Sequence, residues 1–255
     1  MDLLDAIKQT KTVKKFSFEA LSDTDMENIK NHFYELGALN DEIDTDFEVI
    51  DNRHSKKIRG GFLSVNAPYY IIFYSKKTPG AYRNIGFKIQ QMTLHLTAMG
   101  LISKLNHDVK IDKELKVKGS LEACAVIGFG KEKEYESGPE PMTLVQLSVY
   151  KDKPKSWVNR LLEMARLTPS YKNSQPWRFL IENNEFHIFY KGKLAKKMNR
   201  DDEMDFGRML ANIVTASDEL WLDIKLVKKE NTEYKSLTKD QYVISVLPDN
   251  KFGMY

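Results

Sequence analysis

The sequence predicts an α+β fold made of two tandem units, and recurrences along the chain are what predict it. "YIIFY" at 70–74 returns as "FHIFY" at 186–190, and "NIGFKIQQMTLHLTAMGL" at 84–101 returns as "DFGRMLANIVTASDELWL" at 205–222. "AVIGFG" at 125–130 matches "YVISVL" at 242–247. Upstream, 27–51 can be laid on 159–183 at a constant shift of 132 residues. One such pairing is within reach of coincidence between apolar segments; four in the same order are much harder to obtain by chance. The shared order is helix, loop, strand, strand, long buried helix, strand. Residues 1–136 form the first unit on this reading, 137–156 a connector, and 157–255 the second unit.

Local signals support the elements in turn. Ser22 followed by Asp25 is a capping-box-like start, with Asp for the usual Glu, and predicts a helix around 23–36. Ala67-Pro68 leads into "YYIIFY", whose β-branched and aromatic side chains favour a buried strand. Ile89, Met92, Leu96 and Met99 fall at steps of three and four, the stripe of a helix packed on a core. Cys124 lies in the apolar run "ACAVIGFG", which predicts a buried, inert thiol; as the single cysteine it allows no intrachain disulfide.

Composition excludes several functions. A chain of 255 residues can bury a sizeable core, and 42% hydrophobic with 29% charged residues is a globular balance, not a disordered one. Thirty-nine basic against 36 acidic residues leave a net charge of +3, with lysines spread along the chain, so no nucleic-acid partner is expected. No apolar run approaches the ~20 residues that cross a bilayer. The opening Met1-Asp2-Leu3-Leu4-Asp5 is unlike a signal peptide, and a cytoplasmic protein without a membrane partner is the expectation. The five histidines show no paired ligand spacing, so no metal site is expected. "GFGKEK" at 128–133 has G-x-G without a third glycine, and Pro139 and Pro141 follow; it is not a dinucleotide fingerprint.

The most distinctive stretch is "LTPSYKNSQPWRF" at 167–179. Its P-S-x-x-N-S-Q-P-W-R-F pattern resembles the signature loop of the FMN-dependent nitroreductase family in spacing as well as residue type. "AIKQTKTVKKF" at 6–16 resembles that family's N-terminal R-R-S-x-R-x-F element, and 86–101 resembles its central helix ending in Ala-x-Gly-Leu. The resemblance implies a nitroreductase-like fold, each unit a mainly antiparallel sheet flanked by helices. Members are generally homodimers with the flavin at the interface, one subunit supplying the basic element and the other the Pro-Ser-x-x-Asn loop. Here the basic element lies in the first half and the loop in the second. At the aligned place the first half has "GALNDEIDTDF" (37–47), and the second half opens with "KPKSWVNRLLEMA" (153–165), which leaves little room for a basic element. Duplication followed by specialisation explains both losses. The implied protein is a monomeric pseudo-dimer with one surviving flavin site per chain.

The resemblance also assigns residues. FMN carries a dianionic phosphate, which calls for donors and lasting positive charge. Lys11 and Thr12 stand at the family's phosphate-binding pair, and Lys131 and Lys133 follow the strand "AVIGFG", where they would complete that site. Lys14 matches the basic residue near the N1/O2 edge of the ring, where a cation eases reduction. The family's first arginine falls on Thr10 and its serine on Thr12, and lysine replaces arginine at both remaining basic positions. Lysine is a point charge where arginine is a fork, which weakens the phosphate grip. From the second half, Pro169, Ser170 and Asn173 would close on the flavin, while Tyr171 and Lys172 would narrow the entrance or contact substrate. Trp177 is expected to be a packed anchor with its N–H satisfied by a neighbour. The segment Gly100–Leu105 would pass behind the ring.

No catalytic acid, base or nucleophile is demanded of such a protein. The implied function is hydride transfer from NAD(P)H through FMN to a small-molecule acceptor, a nitroarene or quinone, by ping-pong kinetics. Two other readings stand beside it: a flavin carrier with little turnover, and a remnant that has lost the cofactor.

Overall fold

The computed structural model describes residues 1–9, 11–61, 65–191, 197–229 and 240–249, with the backbone alone for Lys11 and Thr12. The first half of the chain forms α1 (Leu3–Lys8), β1 (Lys11–Phe16), α2 (Asp23–Phe33), β2 (Thr45–Asp51), β3 (Ile58–Gly60), β4 (Tyr69–Ser75), α3 (Ala81–Ala98), β5 (Ile102–Asn106), β6 (Val109–Ile111), β7 (Val117–Lys118), β8 (Leu121–Gly130) and β9 (Glu132–Ser137). The rest forms α4 (Leu144–Leu147), β10 (Ser148–Tyr150), α5 (Ser156–Arg166), β11 (Trp177–Glu182), β12 (Glu185–Tyr190), α6 (Arg200–Glu219), β13 (Ile224–Val227) and β14 (Gln241–Pro248).

β4 shows why an unbroken apolar run becomes the middle of a sheet. All of its residues are buried. Tyr69, Ile71 and Phe73 share a core with Ile85 and Ile89 of α3, while Tyr70, Ile72 and Tyr74 enter a separate cluster on the opposite face with Ile58 and Leu115. Both faces of the strand are therefore covered, and alternation disappears from the sequence. The sheet runs β2-β4-β8-β5, all antiparallel. The second runs β10-β11-β12-β14-β13, antiparallel except for the parallel edge pair β10–β11. Without β10, its strands follow the same chain-order pattern as the first sheet. Each pair of segments matched in sequence occupies corresponding stations: β4 and β12, β8 and β14, α3 and α6, α2 and α5.

The connector is not a bare linker. It carries α4 and β10, and β10 extends the second sheet. The N-terminus also crosses over, because Ala6 and Ile7 of α1 bury in one cluster with Leu161, Phe179 and Phe206. Ser22 caps α2 by accepting from the Asp25 N–H at 3.0 Å. That helix ends at Phe33, short of the expected 36, as the chain tightens into turns from Glu35 N–H to His32 and from Leu36 N–H to Phe33. Cys124 is half-buried, not fully buried, and burial holds its thiol above the ordinary range, consistent with an unreactive group.

The long helices α3 and α6 meet at two glycines. A Cβ on Gly86 would lie 2.1 Å from the Met204 carbonyl oxygen, and one on Gly207 would lie 2.0 Å from that of Arg83. The contact is reciprocal, each glycine meeting the residue three before the other. Both helices also end alike. Gly100 (φ 77°) lets the Leu101 N–H return to the Leu96 carbonyl, and Trp221 (φ 55°) does the same for Leu222 and Ser217.

Candidate functional site

A cavity of about 700 Å³ opens beside this helix seam. It is lined by the loop Pro169–Asn173, by Gly100–Leu105 leading into β5, and, on the side termed its floor, by Gln90 and Arg208 from α3 and α6. Ile7 and Val13 add an apolar side.

The loop is held in an unusual conformation by many partners. Lys172, Asn173 and Gln175 all have positive φ (53°, 53° and 39°), which non-glycine residues adopt only when the surroundings insist. Gln175 is wholly buried: its Oε1 accepts from the Met142 N–H (2.6 Å) and its Nε2 donates to the Arg166 carbonyl (3.0 Å). Ser170 Oγ accepts from the Gln175 N–H at 2.9 Å, which leaves its own hydroxyl hydrogen as a donor. Asn173 Nδ2 donates to the Glu140 carbonyl at 3.1 Å. The Tyr171 N–H donates to Asp205 Oδ2 at 2.8 Å. In the first half Asn84 accepts from the Leu39 N–H at 2.8 Å, and Asn84 and Leu39 are the residues that the sequence pairs with Asp205 and Tyr171. The Tyr171 ring leans on His107 (centroids 4.4 Å apart), and His107 Nδ1 bonds Asp201 Oδ1 at 3.1 Å.

Electrostatics set apart the floor residue Arg208 and its neighbour Asp205, which lies behind the cavity lining. Burial pushes the Asp205 carboxyl up to about 7, against the opposing pull of Arg208 and the Tyr171 N–H, and Asp205 Oδ1 has no partner among the described residues. Burial likewise lowers Arg208, with Asp205 working the other way. Lys104 and His107 line the same cavity and are both lowered by burial.

Of the residues proposed from sequence, Pro169, Ser170, Tyr171, Lys172 and Asn173 all line the cavity. Lys14, Lys131 and Lys133 do not. An irregularity in the β1–β9 register between Val13 and Lys15 leaves Val13 buried while Lys14 and Lys15 both face out. Lys14 bonds Glu136 at 2.8 Å, a contact that raises its pKa, and Lys131 bonds Glu19 at 3.0 Å. Lys133 lies on β9, every residue of which is exposed. Lys11 and Thr12 pair through their backbones with Ser137 and Glu136; their side chains, like Thr10, lie outside the described residues. Trp177 is fully buried, edge-on to Phe206, but its Nε1 has no acceptor among the described residues, so the expected satisfied N–H is corrected. Its ring sits wholly within the apolar cluster shared by β11 and α6.

Sequence reading placed Lys104 only within the Gly100–Leu105 segment and passed over Gln90, His107, Asp205 and Arg208. A signal existed for the last two. Within the matched helices Asp205 and Arg208 replace Asn84 and Phe87, placing two charges on a stripe that packs inward.

These residues suit a planar, partly polar cofactor such as FMN. The volume falls within the ~300–1,000 Å³ of small-molecule sites. Apolar side chains, the Ser170 hydroxyl and a buried guanidinium converge on one space. Among the described residues no group of three or more His, Cys, Asp or Glu is placed to hold a metal ion, and no helix is long and apolar enough to cross a membrane.

The architecture is that of the nitroreductase fold. A structure from Thermotoga maritima described as a "putative nitroreductase" matches with a TM-score of 0.66 at 17% identity, covering 96% of this chain and 93% of that one. Residues 2–217 match the family model described as "Putative TM nitroreductase", and the chain belongs to that family. Similarity extends to a nitroreductase family protein of Clostridium difficile (TM-score 0.47, 15% identity, 60% of this chain and 100% of that one). It also extends to a nitroreductase with bound FMN from Bacteroides fragilis (TM-score 0.41, 14% identity, 56% and 95%). No curated protein matches.

Proposed function

We propose that the chain is an FMN-dependent oxidoreductase, folded from a duplicated unit into an internal pseudo-dimer that works as a monomer in the cytoplasm. The observation that carries the reading is the cavity, which the Pro169–Asn173 loop of one half lines together with Gly100–Leu105 of the other. Bound there, FMN would relay hydride from NAD(P)H to a nitroaromatic or quinone-like acceptor in alternating half-reactions.

The chain's own part is to bind, orient and exclude water. Pro169 stiffens the loop, Ser170 offers a hydroxyl donor and Asn173 a polar rim. Tyr171, fixed against His107, narrows the mouth, and Lys172 stands over the Tyr171 ring at 5.1 Å. Lys104 and Arg208 make the interior electropositive, which favours a ligand that gains negative charge. Lys11 and Thr12, at the start of the strand that leads to cavity-lining Val13, are the proposed phosphate contacts. Lys131 and Lys133 are proposed to complete that site. For Lys14 to reach a ligand it must leave Glu136, and an exposed pair of that kind is only weakly held.

The test is anaerobic addition of NADH or NADPH to protein loaded with FMN and desalted. Bleaching of the visible flavin band, and its return on adding a quinone or nitroarene, is the expected result. A bound flavin that neither nucleotide bleaches would reduce the protein to a flavin carrier.

A further inference from the structure

Arg208 is 7% exposed, lines the cavity floor, and is bound through one nitrogen only: its Nε donates to Gln90 Oε1 at 3.1 Å. Its two terminal nitrogens have no partner among the described residues. A guanidinium taken out of water without full pairing is costly, and the cost is tolerated where something else completes the pairing. Asp205 influences its ionisation but forms no ion pair with it and instead accepts from the Tyr171 N–H.

The group is also locked in place. Gln90 Nε2 donates to Asn212 Oδ1 (2.9 Å), and Asn212 Nδ2 donates to Thr168 Oγ1 (2.8 Å), the residue before Pro169. Arg208 is thereby fixed in register with the loop wall across both long helices. The equivalent position in the first half is Phe87, buried and apolar, so helix packing at this station does not require a charge. Lys104 adds a second cation to the same cavity.

We propose that Arg208 makes the cavity floor a subsite for an electron-rich, oxygen-bearing edge, gripped by the free fork of its guanidinium. Two sources offer that chemistry: the N–C=O edge of the flavin ring, or the carboxylate or nitro oxygens of an acceptor. The first source rests on the flavin reading above; the second does not.

Arg208→Met and Arg208→Lys separate these sources. FMN affinity and the potential of bound FMN are measured alongside binding of 4-nitrobenzoate and of neutral 4-nitrobenzyl alcohol. The expected result is at least a tenfold loss in Arg208→Met, partly restored in Arg208→Lys. A cofactor contact shows as weaker FMN binding or as a potential about 30 mV lower, which is tenfold for a two-electron couple. An acceptor contact shows as weaker 4-nitrobenzoate binding with the alcohol unaffected. The flavin-free Met variant should still unfold cooperatively, with a modest loss of midpoint because the buried Gln90 Oε1 is left without its donor. If Arg208→Met does not fold, Arg208→Gln carries the same comparison. FMN affinity, potential and 4-nitrobenzoate binding all unchanged within twofold would overturn the proposal. Wild-type protein that takes no FMN would sink the flavin reading instead, and 4-nitrobenzoate binding to the flavin-free protein would then decide the role of Arg208 alone.

Discussion

Gly207→Ala is expected to destabilise the protein by about 3 kcal/mol or more, a large share of the ~5–15 kcal/mol that holds a typical domain together. The added methyl would lie 2.0 Å from the Arg83 carbonyl oxygen and 2.8 Å from the Phe87 nitrogen. Both are backbone atoms of a helix, so no side-chain rotation relieves the clash. The two helices must separate instead, which strips packing from Phe87 and Met204 and disturbs the Arg83–Glu203 ion pair at 2.8 Å. Gly86→Ala should behave alike, because its methyl would meet the Met204 carbonyl at 2.1 Å. Urea unfolding measures the effect. A loss below about 1 kcal/mol in either variant would mean that the helices are not as close as described. The cavity should suffer too, since Gln90 stands one turn beyond Gly86 and Arg208 directly follows Gly207.

The second large effect is on pH dependence and falls on Asp205. Its carboxyl titrates near 7 in the folded protein against an ordinary 3.8, with burial as the main cause. Between these values the native state holds a proton that the unfolded chain has released. Stability from this group is therefore full below about 4, is lost as pH rises toward 7, and stays lost above. Over that window the loss is of order 2–4 kcal/mol. Asp205→Asn removes the slope while keeping an oxygen for the Tyr171 N–H, the arrangement Asn84 already uses with Leu39. Unfolding midpoints of wild type and variant should be close at pH 4, with the variant clearly more stable at pH 8. Parallel curves across that range would show that Asp205 is not the titrating group.

Much of the scaffold could be read before the structure. The repeated "YIIFY" and "FHIFY" segments mark equivalent strands because a run with no polar face can lie only where both sides are covered, and β4 and β12 are such strands. Ser22 and Asp25 mark a helix start because capping is local chemistry. The Pro169–Asn173 loop was singled out through its resemblance to the nitroreductase signature, and it lines the cavity.

What escaped depends on long-range packing or register. Asp205 and Arg208 are charges on a helix, and such charges usually mark its solvent face. They are buried because α6 carries a sheet on one side and α3 on the other, which periodicity alone does not reveal. Lys14 illustrates the converse. The segment identifies a basic element, but the direction of each lysine follows from one register irregularity opposite β9, and that is set by pairing with residues more than a hundred positions away. β10 is three residues long and gains its identity only by lying beside β11. Gln90, an uncharged residue in a helix otherwise read as core, owes its role to Arg208 and Asn212 on the facing helix.

The most direct test of the central claim is an FMN titration of the purified chain, read by absorbance after desalting, with the mass of the loaded particle taken by light scattering. One FMN on a particle of one chain is the predicted result, since a single pairing of the Pro169–Asn173 loop with Gly100–Leu105 would form the site. Two flavins on one chain, one flavin shared by two chains, or none retained would contradict a single site built between the halves of one chain.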